Sequence, residues 1–238
     1  MNPTLELTLY ALFIVAILMS LFAQIKVSST FRKYSRIPAP FGKTGAEIAR
    51  KILSDNGIYD VRIERVGGNL TDHYDPRGRV LRLSDAVYSS SSTAAVGVAA
   101  HEAGHALQHE VGYLPLKLRG ALVPITGFAS RSAWIIIMLG LFISIFSMSA
   151  GVGYYVSMFG VALFSVTAIF QLVTLPCEFN ASKRALSALR ETGYYSGAEL
   201  RESRKVLTAA ALTYVAALFV TVIQLLRLFL LVSRRRDR

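Results

Sequence analysis

The sequence predicts a mainly α-helical protein that crosses a membrane several times and carries one small α+β domain. Three observations lead there. Hydrophobic residues make up 53% of the 238 residues and mean hydropathy is +0.45, above the roughly 45–50% apolar content of soluble domains. The excess falls in runs of about 17–25 residues, the length that spans a hydrocarbon core. After the first run lies a stretch of ordinary polarity whose apolar spacing changes from helical to alternating and back. The formal charge is +11, which suits nucleic acid or anionic lipid. The Lys and Arg residues flank the apolar runs instead of forming one basic domain, so lipid anchoring is expected and a nucleic-acid partner is not. The single cysteine, Cys177, excludes an internal disulfide and a Cys-type zinc knuckle.

The first run, 4–25, reads as an uncleaved anchor and, with the residues before it, forms segment 1–25. A signal peptide would want a basic leading region, where only Glu6 lies, and small residues before a cleavage site, where Leu21, Phe22 and Ala23 stand. The polar domain occupies 26–117 and starts with a linker over 27–43. "TGAEIARKILSDNG" reads as a helix, with Thr44 as N-cap, Glu47 three residues later, apolar residues at 48, 49, 52 and 53, and Gly57 as its stop. "YDVRIERV" alternates and reads as a strand. "GGNLTDHYDPRGRV" reads as a turn-rich loop punctuated by Pro76 and Gly78. "RVLRLS" reads as a second, short strand. Its residues Arg79, Val80, Leu81, Arg82 and Leu83 are expected to offer an unpaired edge to an extended substrate. "SSTAAVGVAAHEAGHALQHE" reads as a long Ala-rich helix beginning near Ser91 or Ser92.

Runs 133–149 and 152–175 form a transmembrane hairpin within 118–175, with only Ala150 and Gly151 between them. The first of these helices can begin near Arg119, and Arg131 must then snorkel or line a cavity. Residues 176–207 read as a separate helical segment. Residues 208–238 hold the fourth run, 208–232, with Arg227 snorkelling near its end, and a basic tail. The basic residues of 26–117 and 176–207 place both segments on the cytoplasmic side of the cell membrane. The tail "SRRRDR" runs against this scheme. Either the last run stops short of spanning, or the first helix sets the orientation.

The chemistry concentrates in "HEAGH". His101 and His105 lie four residues apart, about 6 Å of helical rise, with both side chains on one face. Two imidazoles so placed reach one zinc ion, each giving a nitrogen at about 2.0–2.1 Å. Glu102 holds the position that in H-E-x-x-H sites takes a proton from water at the metal and passes it on. Ala103 and Gly104 are small enough to admit another chain segment. From average residue usage, a chance H-E-x-x-H in a chain this long is roughly a one-in-a-hundred event. The bland alternative is a surface helix with scattered histidines.

A catalytic zinc wants three protein ligands and an open position. His109 lies eight residues from His101, about 12 Å along the helix, so one ion cannot bind both. It reads as a partly buried helix residue or a support for the site. His73, in "LTDHYDP", is the remaining histidine, with a ligand role or a substrate contact open to it and Tyr74 as rival for the latter. Glu178, in "LPCEFNASKRAL", is the best third ligand, because a membrane hairpin returns the chain to the face it left. Its other reading is a carboxylate at a helix N-terminus after Pro176. Ser182, one turn on, can hydrogen-bond a ligand.

With "LTDHYDP", "LRLS", "AAHEAGHALQH" and "CEFNAS" in this order, the chain resembles the YugP-type neutral zinc metallopeptidases of bacterial membranes. More distantly it is similar to the HtpX-type and CAAX prenyl endopeptidases, which also place a transmembrane hairpin between H-E-x-x-H and a glutamate ligand. The resemblance covers most of the chain. It implies a zincin-like (gluzincin) catalytic domain, one Zn2+ held by His101, His105 and Glu178, and Glu102 as general base. The distant relatives have Asp four residues after the ligand glutamate, supporting a ligand histidine. Here Ser182 stands there, so support comes from it, from Asn180 or from Asp85.

The expected function is membrane-embedded, zinc-dependent hydrolysis of peptide bonds in membrane-proximal or unfolded protein segments. A non-catalytic metal-binding adaptor is the alternative, and it would need His73 or Asp75 to close the fourth position. Transport is disfavoured because the runs after the first hold almost no ionisable residues besides Arg131 and Arg227.

Overall fold

A computed structural model of the chain describes residues 3–146, 150–195 and 197–234. Seven α-helices and three strands follow in the order α1 (Pro3–Tyr34), α2 (Gly45–Asp55), β1 (Arg62–Val66), β2 (His73–Asp75), β3 (Val80–Ser84), α3 (Asp85–Tyr88), α4 (Thr93–Glu110), α5 (Leu114–Phe146), α6 (Ala150–Glu191) and α7 (Gly197–Ser233). They group into two compact units. One takes its described residues from Met1–Phe22, Leu118–Thr174 and Tyr214–Arg238, the other from Ala23–Lys117 and Leu175–Thr213.

Four helices are long and apolar enough to cross a membrane, over Glu6–Tyr34, Leu114–Phe146, Gly151–Glu191 and Gly197–Ser233. Large apolar side chains such as Leu18, Phe22, Ile135, Phe142 and Phe159 lie exposed on them, as lipid-facing residues must. Each helix outruns its apolar stretch. α1 continues to Tyr34, so the first part of the expected linker is helical; no breaker precedes Ser35. α5 starts at Leu114, earlier than Arg119, and Arg131 is exposed. Ala150 and Gly151 belong to α6 and do not form the hairpin connection; residues 147–149 lie outside the described residues.

α6 also corrects the expected boundary at 176. It runs unbroken from Ala150 to Glu191 with Pro176 inside it. Proline removes one backbone donor and crowds the preceding turn, yet the helix continues through it between the buried Thr174 and Cys177. α7 likewise merges the end of the 176–207 segment with the fourth run. It is long and apolar enough to cross a membrane. Arg227 does not simply snorkel: its guanidinium lies 4.8 Å from the Tyr10 ring centre and 4.1 Å from that of Phe13, and it donates to Gln224. Arg234 pairs with Glu6 at 2.6 Å. α5 and α6 approach closely at small residues: a Cβ on Gly140 would meet the Ser157 backbone nitrogen at 2.4 Å.

In the second unit, α2 forms as its sequence demands. Thr44 Oγ1 accepts from the Glu47 N–H, the Glu47 carboxylate accepts from the Thr44 N–H, and Ile48, Ala49, Ile52 and Leu53 are buried. Gly57 takes a left-handed φ of 73° just past the end. The turn-rich stretch holds a strand the sequence did not reveal, β2, antiparallel to β3. The Asp75 carboxylate accepts from the Arg77 and Gly78 N–H groups and closes the turn between them. The sheet order is β1-β3-β2. β3 is therefore the middle strand, parallel to β1 and antiparallel to β2. This overturns the expected free edge at Arg79, Val80, Leu81, Arg82 and Leu83. Arg79 lies outside the strand with φ 47°, and Val80–Leu83 are paired on both sides or covered by core.

The sheet and α2 pack around α4, which begins at the Ser92 cap and is buried along most of its length. Its alanines and glycines let neighbours close in. A Cβ on Gly97 would meet Ser203 of α7 at 3.3 Å, and one on Gly104 would meet the Ala181 carbonyl oxygen of α6 at 2.6 Å. Leu81, Leu83, Val87, Val96, Ala99, Ala103 and Leu189 share one core with Ile48 and Ile52. The helix that bears the histidines is thus the central element of this unit.

Candidate metal centre

α4 and α6 build the centre within this unit. The four-residue spacing puts His101 and His105 on one face of α4, their rings edge to face at 4.8 Å. Gly104 lies between them, and the α6 backbone passes over it at Ala181. Glu178, one turn earlier on α6, faces both rings. Its Oε2 is 3.0 Å from His101 Nε2 and 3.6 Å from His105 Nε2. Glu178 is 2% exposed and His105 6%, so three charge-capable groups converge where water is scarce. Burial opposes the charged His105 ring. Hydrogen bonds with the Cys177 thiol and the Glu178 carboxylate, with the charges of Glu178 and Glu102, outweigh it and push the ring up to about 10.

The outer ring nitrogens are also engaged. His101 Nδ1 lies 3.1 Å from Ser182 Oγ, and His105 Nδ1 lies 3.0 Å from Gln108 Oε1. Both Nε2 atoms are thereby turned toward the glutamate. The ligand atoms of His101, His105 and Glu178 all lie within 4.8 Å of one another. Donors at about 2.0–2.1 Å from a tetrahedral zinc stand about 3.3–3.4 Å apart, and the observed separations bracket that edge. The donor set fits zinc. Among the described residues no other group of His, Cys, Asp or Glu is so placed.

Glu102 is buried at 8% exposure, and among the described residues its carboxylate has no hydrogen-bond or ion-pair partner. Its charge acts on the His105 ring, three residues along the same helix.

The other candidates fall elsewhere. His109 lies outside the cluster, its Nδ1 2.8 Å from the Tyr74 hydroxyl. Burial pushes Tyr74 up to about 12, so this hydroxyl keeps its proton at neutral pH. His73 is exposed on β2, its Nδ1 2.8 Å from the Thr71 carbonyl and its Nε2 3.3 Å from Arg82. Asp75 pairs with Arg82, and Asp85 with Arg65, so neither reaches the histidines. Asn180 Oδ1 accepts from Gln108 and Arg184. Glu178 is in mid-helix, which removes its reading as an N-terminal cap. Sequence reasoning missed Gln108 and Cys177. The signal for Gln108 was present: an amide one turn after a ligand histidine, in an otherwise Ala-rich helix.

Comparison with known proteins bears on this centre. The family model described as "Putative neutral zinc metallopeptidase" matches residues 9–233. The chain is 46% identical over 224 residues to "Putative membrane protease YugP" of Bacillus subtilis (strain 168), covering 94% of this chain and 96% of that one. No solved structure matches it. The matched length takes in nearly all of the four membrane-length helices, the HEAGH helix and Glu178, and the chain belongs to the family that this model describes.

Proposed function

We propose that the chain is a membrane-embedded endopeptidase holding one zinc ion and hydrolysing peptide bonds in membrane-proximal or unfolded protein segments. One observation carries this reading: two imidazole Nε2 atoms and a carboxylate oxygen converge, and the Glu102 carboxylate stands on the same helix beside His101. Zinc, when bound by His101, His105 and Glu178, supplies Lewis acidity toward a peptide carbonyl and acidifies water. Glu102 takes a proton from the attacking water as its oxygen bonds to the carbonyl carbon. It then delivers that proton to the nitrogen as the C–N bond breaks, so no net proton is consumed. Ser182 and Gln108 hold the rings in the orientation that presents Nε2.

Substrate pairing moves from β3 to β2. With β3 in the middle, β2 keeps one side without a strand partner among the described residues. An extended segment can add there beside His73, which is exposed on this strand. The basic residues of the second unit favour the cytoplasmic side for this chemistry. A non-catalytic adaptor would need His73 or Asp75 at the metal, and both are committed to other partners. The test is cleavage of an unfolded protein by detergent-solubilised wild type and Glu102→Gln. The expected result is loss of cleavage with zinc retained. Undiminished cleavage by the variant would sink the mechanism.

A further inference from the structure

Gln108 is 0% exposed. A buried primary amide carries two N–H donors and an oxygen with two lone pairs, and each one left unmade is costly. All four are used. Nε2 donates to the Cys177 carbonyl at 2.8 Å and to Asn180 Oδ1 at 3.0 Å. Oε1 accepts from His105 Nδ1 at 3.0 Å and from the Cys177 thiol at 3.4 Å. Cys177 and Asn180 flank Glu178 on α6, so one side chain grips a ligand histidine and both sides of the ligand glutamate.

The polarity of these bonds is not free. An amide can be turned end for end, but a backbone carbonyl has no proton to give. The group facing the Cys177 carbonyl must therefore be the nitrogen. The second contact agrees: Asn180 Oδ1 also accepts from Arg184 Nε at 2.8 Å, and an arginine only donates. With the nitrogen so fixed, the oxygen faces His105, and Nδ1 must carry a proton to reach it. The Ser182 hydroxyl beside His101 can donate or accept, so it imposes no such choice.

We infer that Gln108 is a positioning residue, which fixes His105 as the Nδ1–H form with Nε2 as the metal-binding atom while clamping α6 around Glu178. The inference rests on the ligand set of the proposed function, but on none of its hydrolytic steps. Without this acceptor, no oxygen fixes the proton on Nδ1, and the ring keeps only its contacts with Cys177 and Glu178.

Two substitutions separate the two tasks. Gln108→Met and Gln108→Glu both lose the N–H donors to α6, but only Gln108→Glu keeps an oxygen for His105 Nδ1–H. The measurement is the zinc dissociation constant of the purified full chain, by competition with a chelator. Melting temperature is followed in parallel. Gln108→Met is expected to bind zinc about 10–100-fold more weakly, and Gln108→Glu to stay within a few-fold of wild type although both are less stable. Equal weakening in both variants would reduce Gln108 to a structural clamp and overturn the inference, as would wild-type affinity in Gln108→Met. If Gln108→Met does not fold, wild type alone decides the matter. Nitrogen-15 NMR of the zinc-loaded chain should find His105 Nδ1 protonated and Nε2 on the metal, and the reverse assignment overturns the inference. A wild type that binds zinc this way but cleaves nothing would contradict the peptidase reading and leave the role of Gln108 standing.

Discussion

Replacing Gly104 with alanine adds one methyl group where α4 and α6 meet, and the structure sets what that methyl must displace. The new Cβ would sit 2.6 Å from the Ala181 carbonyl oxygen and 3.3 Å from its carbonyl carbon. Carbon–oxygen contacts settle at about 3.3–3.6 Å, so the helices must part by about 0.7 Å. The obstacle is backbone on both sides and cannot swing away. Glu178 is one turn from Ala181 on the same helix, so it moves with it. Its 3.0 Å approach to His101 would open toward the length of a contact that no longer fits a tetrahedral edge, and metal sites tolerate only about 0.2 Å in ligand distance. Overpacking of this kind costs about 1–3 kcal/mol of stability. Zinc affinity should fall at least about tenfold, the scale seen when ligand orientation is disturbed. Chelator competition gives the affinity and thermal unfolding the stability. A Gly104→Ala chain with wild-type affinity and wild-type melting would refute the claim that contact at Gly104 sets the ligand geometry.

Two further outcomes follow from the same geometry. Ser182→Ala removes the hydroxyl 3.1 Å from His101 Nδ1 and should weaken zinc binding about tenfold; unchanged affinity would mean that packing alone orients His101. In metal-free protein, the His105 pKa is raised from 6.5 to about 10. A raised value means that the ring's contribution to stability is fully present below pH 6.5 and is lost as pH climbs toward 10. If zinc binds at Nε2 as proposed, it takes the place of that proton, and the zinc-loaded chain should not share this loss. Melting temperature of both forms between pH 6.5 and 10 checks this, and parallel curves would contradict it.

Local signals were readable in the sequence where one residue's chemistry sufficed. Thr44 and Glu47 announced the start of α2, the four apolar runs announced the membrane helices, and the helical repeat of 3.6 residues separated His109 from His101 and His105. Glu178 was reachable because a membrane hairpin must return the chain to its starting face. What stayed hidden was set by distant partners. β2 is three residues long and has no periodicity of its own; its pairing with β3 makes it a strand. The same pairing moved β3 from an edge to the middle of the sheet. Pro176 argued for a break, yet α6 continues through it. Gln108 draws its importance from Cys177 and Asn180, which no spacing along α4 could reveal.

The most direct test of the account is zinc X-ray absorption on the purified, zinc-loaded chain. The account expects one zinc per chain, with two imidazole nitrogens and a carboxylate oxygen at about 2.0–2.2 Å and one further light atom. A sulfur scatterer at about 2.3 Å, which only Cys177 or a methionine could supply, would contradict the His101, His105 and Glu178 site. So would a spectrum fitted by a single imidazole.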